Sequence, residues 1–244
     1  MLTNGAPNRF RILPSYKNEG PKYAEYAKYR KAKRIFMLTL NVSPTEDEFT
    51  RYVEPELTKM GVEHVRERFE MSTADYRSLV LKAVAYKPDL IIINGLSFHI
   101  LPLVQNLNAL GFIKDGNVVC VMDTIDLLYG EKVPAGLEGI AFISPFFEIP
   151  GAVPHADEWR ARFHKAGGKV ANYVQAYAYD TGRLLVEAYV KQKSVRPASL
   201  KAVFPYEGVC GKMSLDADRD LVTDLGFVKI AAGGKLVPID ATVK

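Results

Sequence analysis

The sequence predicts an α/β fold built on a doubly wound parallel sheet, at a length that allows one large domain or two lobes. Residues 72–112 carry the prediction furthest, because they read as helix, buried strand, loop and helix without a break. Leu79, Val80, Ala83 and Val84 recur at helical spacing, Lys87-Pro88-Asp89 stops the helix, and residues 90–93 are wholly apolar. Continuous apolar strands between helices belong to sheets buried on both faces. Further strands expected at 35–40, 64–69, 118–122 and 139–145 alternate with helical stretches, the pattern of parallel α/β folds. Polar residues gather where these strands end, at Asn41, Asn94 and Asp123, and right-handed crossovers place those loops on one rim.

The elements follow in order. A helix over 20–30 precedes the strand at 35–40, and the basic run Lys28, Arg30, Lys31, Lys33 and Arg34 lies at the helix's last turn, where cations complement the dipole. Asn41-Val42-Ser43-Pro44-Thr45 favours a helix start, followed by a helix over 49–60 that stops at Gly61. Strand 64–69 is half polar by alternation, which suits a sheet edge. Beyond Pro145, the loop at 146–151 is rich in aromatic residues. Helices over 156–166 and 173–192 follow, with Gly167-Gly168 between them, and the second has a wide apolar face. A hairpin pairing 227–231 with 236–239 turns on Gly233-Gly234.

Composition narrows the function classes. With 48% hydrophobic and 25% charged residues over 244 positions, the chain is a globular protein long enough to need no covalent staple. Its two cysteines fit buried thiols: Cys120 lies in an apolar run, and Cys210 follows Gly208-Val209. Net charge is only +4 and no aromatic platform interleaves with the basic run, so no nucleic-acid partner is expected. No apolar stretch is long enough to span a bilayer, and the polar residues 1–9 carry no signal-peptide core. Nucleophile elbow, P-loop and GxGxxG patterns are absent, so neither catalysis nor a cofactor is expected.

Ligand crevices of open α/β sheets lie beyond the carboxyl ends of the strands, which makes Asn94, Ser97 and His99 candidates for small-molecule contact. His99 has no metal-spaced partner, which favours a structural role. His155, Asp157 and Glu158 read as a helix start. Asp216, Asp218 and Asp220 alternate as in a calcium loop but lack its glycine and terminal glutamate, so a solvated turn is expected and no metal.

An ordered set of motifs resembles a known family. Ala74-Asp75-Tyr76-Arg77, Lys87-Pro88-Asp89-Leu90-Ile91, Gly111 after a helix, Ala176-Tyr177-Ala178-Tyr179-Asp180, the Gly208-Val209-Cys210-Gly211-Lys212-Met213-Ser214-Leu215-Asp216 run and Gly233-Gly234-Lys235-Leu236-Val237-Pro238 occur in the order seen in type I periplasmic binding proteins. The likeness is to the branched-chain amino-acid (Leu/Ile/Val-binding) branch of ABC-transporter receptors. It implies a periplasmic solute receptor that binds an amino acid or related small carboxylate between two lobes and works with a transporter permease. It also implies a division into a C-terminal-type lobe, 8–143 plus 206–244, and a remnant of the N-terminal-type lobe, 144–205, the remainder of which has no counterpart here.

Carried over by position, the resemblance places ligand contacts at Asn41 and Ser43, at Leu96 or Ser97 where many relatives have tyrosine, and at Asp123, which matches the acid that meets a ligand's ammonium group. Asp123 also fits a helix N-cap at a strand-to-helix turn. Phe146, Phe147 and Tyr177 would wall a ligand or seal a hinge by packing. The alternative to a receptor is a truncated relative acting as an interaction or regulatory module. The apolar face of 173–192 leads us to expect a homo-oligomer in either case.

Overall fold

The computed structural model describes residues 6–241. The chain divides into two compact units: a smaller one, residues up to Asn18 with Pro145–Leu225, and a larger one, Glu19–Ser144 with the segment from Gly226 onward. Residues up to Asn18 and residues 206–225 group with the smaller unit, the latter forming a small sheet of their own.

The larger unit is built on strands β1 (Arg34–Leu40), β2 (Glu63–Phe69), β3 (Leu90–Asn94), β4 (Val118–Cys120) and β5 (Ala141–Pro145), with β9 (Leu225–Ile230) and β10 (Leu236–Ile239) at one edge. The seven-stranded order is β10-β9-β5-β4-β3-β1-β2. β1 through β5 pair in parallel and β9 with β10 antiparallel. β3, β4 and β5 are buried along their whole length, as strands covered on both faces must be. β2 alternates in burial and is the edge strand the sequence predicted.

Helix α1 (Tyr16–Arg30) starts four residues earlier than expected and stops where Lys31 turns left-handed, with φ 53°. The helix predicted at 49–60 is corrected to three pieces: α2 (Ser43–Glu48), a π-helical turn (Phe49–Val53) and α3 (Glu54–Lys59). Pro44 sits in the first turn, where its missing N–H is harmless. Pro55 removes a donor in mid-run, and the wide turn precedes it. α4 (Arg77–Ala85) and α5 (Ser97–Ala109) flank β3 as anticipated. β4 ends two residues early because Val121 donates to the Ile93 carbonyl at 3.0 Å and a 3₁₀ turn, Met122–Leu128, begins at once. The closing hairpin turns through Gly233 and Gly234, both at positive φ.

The smaller unit holds α6 (Ala156–Lys165), α7 (Tyr173–Gln192), α8 (Pro197–Lys201) and a three-stranded antiparallel sheet of β6 (Tyr206–Gly208), β7 (Gly211–Leu215) and β8 (Leu221–Thr223). α8 and this sheet escaped the sequence reading, being too short for a periodic signal. α7 is capped by Asn172, whose Oδ1 accepts from Val174 N and Gln175 N. Its buried Asp180 accepts from Val209 N (3.1 Å) and Cys210 N (2.9 Å), tying helix to sheet. Gly208 is required there, since a Cβ would fall on the Asp180 carboxylate. The two cysteines are free and buried.

Asp216, Asp218 and Asp220 do not form the solvated turn expected of them. Lys17 Nζ lies 3.1, 3.0 and 2.9 Å from their three carboxylates, and Asp220 is buried. Two substitutions test this packing by urea denaturation. Asp180→Ala orphans the buried Cys210 N–H and the part-buried Val209 N–H and is expected to cost about 2–4 kcal/mol. Lys17→Ala removes the ammonium from the buried Asp220, which keeps Arg11 at 3.6 Å, and is expected to cost about 1.5–3 kcal/mol.

Candidate functional site

The strand order reverses at β1, which has β2 on one side and β3 on the other, so the topological switch lies between β1 and β3. Loops leaving the carboxyl ends of these strands frame the crevice of open α/β sheets. Here they are the turn after β1 carrying Asn41 and Ser43, and the turn after β3 carrying Leu96 and Ser97. Asn41 and Ser43 are exposed, Asn41 donating to Glu70 Oε1 at 2.7 Å. Leu96 is 38% exposed and caps α5, and Ser97 opens that helix half-buried. Gly95 lets this turn sit down, because a Cβ there would lie 2.9 Å from the ring of Phe69.

Asn94 occupies a different layer. It is buried at the end of β3, opposite Thr39 of β1, and its Nδ2 donates to Glu48 Oε2 (2.9 Å) and Tyr23 OH (3.2 Å). Thr45 Oγ1 donates to its Oδ1 at 3.4 Å. One amide thus joins β3 to α1 and α2. Its hydrogen-bonding capacity is spent inside the protein, beneath the rim.

Asp123 lies half-buried on the 3₁₀ turn after β4. It is not the N-cap; Val121 holds that position, and Thr124 donates through both N and Oγ1 to the Val121 carbonyl. Glu19 Oε1 accepts from Met122 N at 2.9 Å, fixing the start of the same turn. Burial pushes the Glu19 carboxyl up, the Met122 N–H opposes this and the Asp123 charge adds to it, with the result about 8. Burial, then the Glu19 charge, also raises Glu48, against the pull of Asn94, while Asp123 raises it further. Three carboxylates therefore share one field at the carboxyl ends of β1, β3 and β4, two of them held toward the neutral acid by burial. Such a place suits an ammonium group or a hydrogen-bond acceptor.

The sequence did not single out Glu19, Tyr23, Thr45 or Glu48. Glu19 reads as an ordinary first-turn acid, and Glu48 ends the polar run Ser43-Pro44-Thr45-Glu46-Asp47-Glu48, which resembles an exposed helix start. The one signal was Pro44, which fixes the helix phase and turns Thr45 and Glu48, three apart, to the same face.

The remaining candidates sit elsewhere. Phe146 and Tyr177 belong to the smaller unit. Phe146 is half-buried, and Tyr177 is buried with its hydroxyl 3.4 Å from Thr223 Oγ1. His99 is buried among Phe69, Tyr76 and Phe98, with Nε2 3.2 Å from the Met71 carbonyl, a structural placement. His155 is exposed at the entry to α6, paired with Glu158 at 3.9 Å. Among the described residues, no helix is long and apolar enough to cross a membrane.

This sheet, with its crevice loops, is the fold of type I periplasmic binding proteins. The chain belongs to the periplasmic binding protein family, matching it over residues 3–235. Among solved structures it is similar to a leucine-binding protein from Thermotoga maritima (18% identity, TM-score 0.74, covering 91% of this chain and 64% of that one). It is similar to a solute-binding protein of an ABC transporter from Rhodopseudomonas palustris, in complex with 3,4-dihydroxybenzoic acid (20%, 0.76, 94% and 65%). A branched-chain amino-acid transporter substrate-binding protein from Streptococcus pneumoniae, in complex with isoleucine, is also similar (20%, 0.74, 96% and 67%). The chain thus spans about two thirds of these proteins, and at such identities the likeness is one of fold. Among curated proteins no relative matches.

The raised carboxyls set a pH dependence. Between the ordinary glutamate value of 4.5 and about 8, the native state binds more protons than the unfolded chain, so stability falls as pH rises through that window. Glu19→Gln is expected to flatten the slope and to stabilise the protein above about pH 8, as read by urea midpoints across the range. An unchanged slope in the variant would place the titration elsewhere.

Proposed function

We propose that this chain is the solute-binding component of an ABC-type importer, acting in the periplasm with a membrane permease. Its ligand is a small amino acid or related carboxylate, met at the rim of the larger unit. The observation that carries the reading is Asp123, a half-buried acid on the turn after β4 whose charge is felt by Glu19 and Glu48 beneath it. Asp123 takes the ligand's ammonium, a charge-assisted contact about twice as strong as a neutral one. Ser97 and Ser43 offer hydroxyls, Asn41 an amide and Leu96 an apolar wall. Asn94 sets the floor and positions α2 through Glu48. The relatives solved with isoleucine and with 3,4-dihydroxybenzoic acid support a carboxylate-bearing ligand.

A second reading, an interaction module that self-associates, is favoured by α7. Leu185, Val186, Tyr189 and Val190 are 41–60% exposed along one side of that helix. Contiguous apolar exposure of this kind marks interfaces.

A thermal-shift screen against the common amino acids and small carboxylic acids tests the receptor. Ligand at a hundred times its Kd is expected to add about 2.7 kcal/mol and raise Tm by a few degrees. Asp123→Ala is expected to abolish an amino-acid response. A response undiminished in that variant would remove Asp123 from the site. Light scattering that shows a monomer at high concentration would count against the second reading.

A further inference from the structure

We propose that the smaller unit carries a ligand site of its own, between α6 and α7, shaped for a flat aromatic carboxylate. It is distinct from the rim of the larger unit and independent of the proposal made for it. The cavity has a volume of about 780 Å³, within the ordinary range for small-molecule sites. All of its lining belongs to α6, α7 and the residue after α6, so one unit builds it alone.

Its walls are aromatic and fixed. Trp159 stacks on Phe163 (centroids 5.0 Å, planes 26° apart) and meets Tyr179 at 5.8 Å. Behind it, Phe147 packs edge-on at 5.5 Å, itself covered by the Arg160 guanidinium at 4.1 Å. Phe163 is held against Gly168, where a Cβ would fall inside the ring. Trp159 is buried, and the half-buried rings of Phe163 and Tyr179 that it braces line the slot and lose little rotamer freedom on binding, the condition under which aromatic contacts add most.

The charged groups at the cavity are of one sign. Arg162 and Lys165 line it, both exposed, and no carboxylate lines it with them. The neighbouring Arg160 is engaged with Asp157 and Glu148, whereas Arg162 and Lys165 have no ion-pair partner among the described residues. Two uncommitted cations beside an apolar slot fit an anion with a flat apolar body, and the Arg162 fork matches a carboxylate edge-on. Gln175 supplies a second polar group: it lines the cavity, and its side-chain Oε1 is buried with no hydrogen-bond partner. Its amide offers a donor or an acceptor to a ring substituent by a half-turn.

The chain contains one tryptophan, and it forms this wall, so intrinsic fluorescence reports on this site and not on the rim. The full-length chain is titrated with benzoate and phenylacetate, with benzamide as the uncharged control, exciting only tryptophan. The expected result is a saturable change in emission with the two acids, weaker with benzamide. In the Arg162→Ala, Lys165→Ala double variant, affinity is expected to fall roughly tenfold or more. Ala178→Phe, at an exposed cavity-lining position, is expected to abolish the change by filling the slot, and Asp123→Ala to leave it intact. No emission change with either acid overturns the proposal. So does a change lost in Asp123→Ala but kept in the double variant, or one that follows protein concentration and not ligand, which would mark a second copy in the groove.

Discussion

The rim of the larger unit depends on a buried amide and two buried carboxyls. Asn94, at the end of the central strand β3, ties Glu48 of α2 and Tyr23 of α1 to the sheet, while Glu19 of α1 fixes the backbone of Met122 where β4 ends. Glu19 answers the backbone N–H that opens the turn after β4, and the Asn94 amide joins side chains of α1 and α2 to the end of β3, so both helices are held to the strand ends by polar contacts as well as apolar packing. The positions of Asn41, Ser97 and Asp123 follow from that arrangement, because each sits one turn beyond a strand end it locks. Burying two carboxyls is costly, and the protein meets the cost by favouring their neutral forms.

The smaller unit solves a different problem. It holds α7 to a short antiparallel sheet through the buried carboxylate of Asp180, which accepts two backbone N–H groups, and through the Tyr177 hydroxyl beside Thr223. Lys17 gathers three aspartates at the β7–β8 turn and so tethers the first turn of α1. Both are charged groups inside a small apolar volume, and both define geometry more than they add net stability. Between α6 and α7 the packing is left open, with aromatic walls and the cations Arg162 and Lys165, which have no ion-pair partner among the described residues.

Much of the larger unit was legible in the sequence because its strands are apolar runs between helices of clear period. Residues 90–93 admit no other reading, and the edge character of β2 followed from its alternation. The π turn before Pro55 was not legible: an apolar pattern over 49–60 shows the buried face, while the loss of one donor decides the local winding. The rim residues Asn41, Ser97 and Asp123 were found because strand ends can be read. Glu19 and Glu48 were missed because burial of a glutamate is a tertiary fact, and nothing in a polar run separates a buried acid from a solvated one. Lys17 and Asp220 illustrate the same limit across about two hundred residues of chain.

The most direct test of the account is amide hydrogen exchange on the full chain, with and without a saturating pool of amino acids and small carboxylic acids. Ligand capture at the rim is expected to protect residues 41–43, 95–97 and 122–128 together, since they belong to the three loops that follow β1, β3 and β4. Protection absent from all three loops under every ligand, or confined to residues 156–179, would contradict a binding site at the carboxyl edge of the sheet.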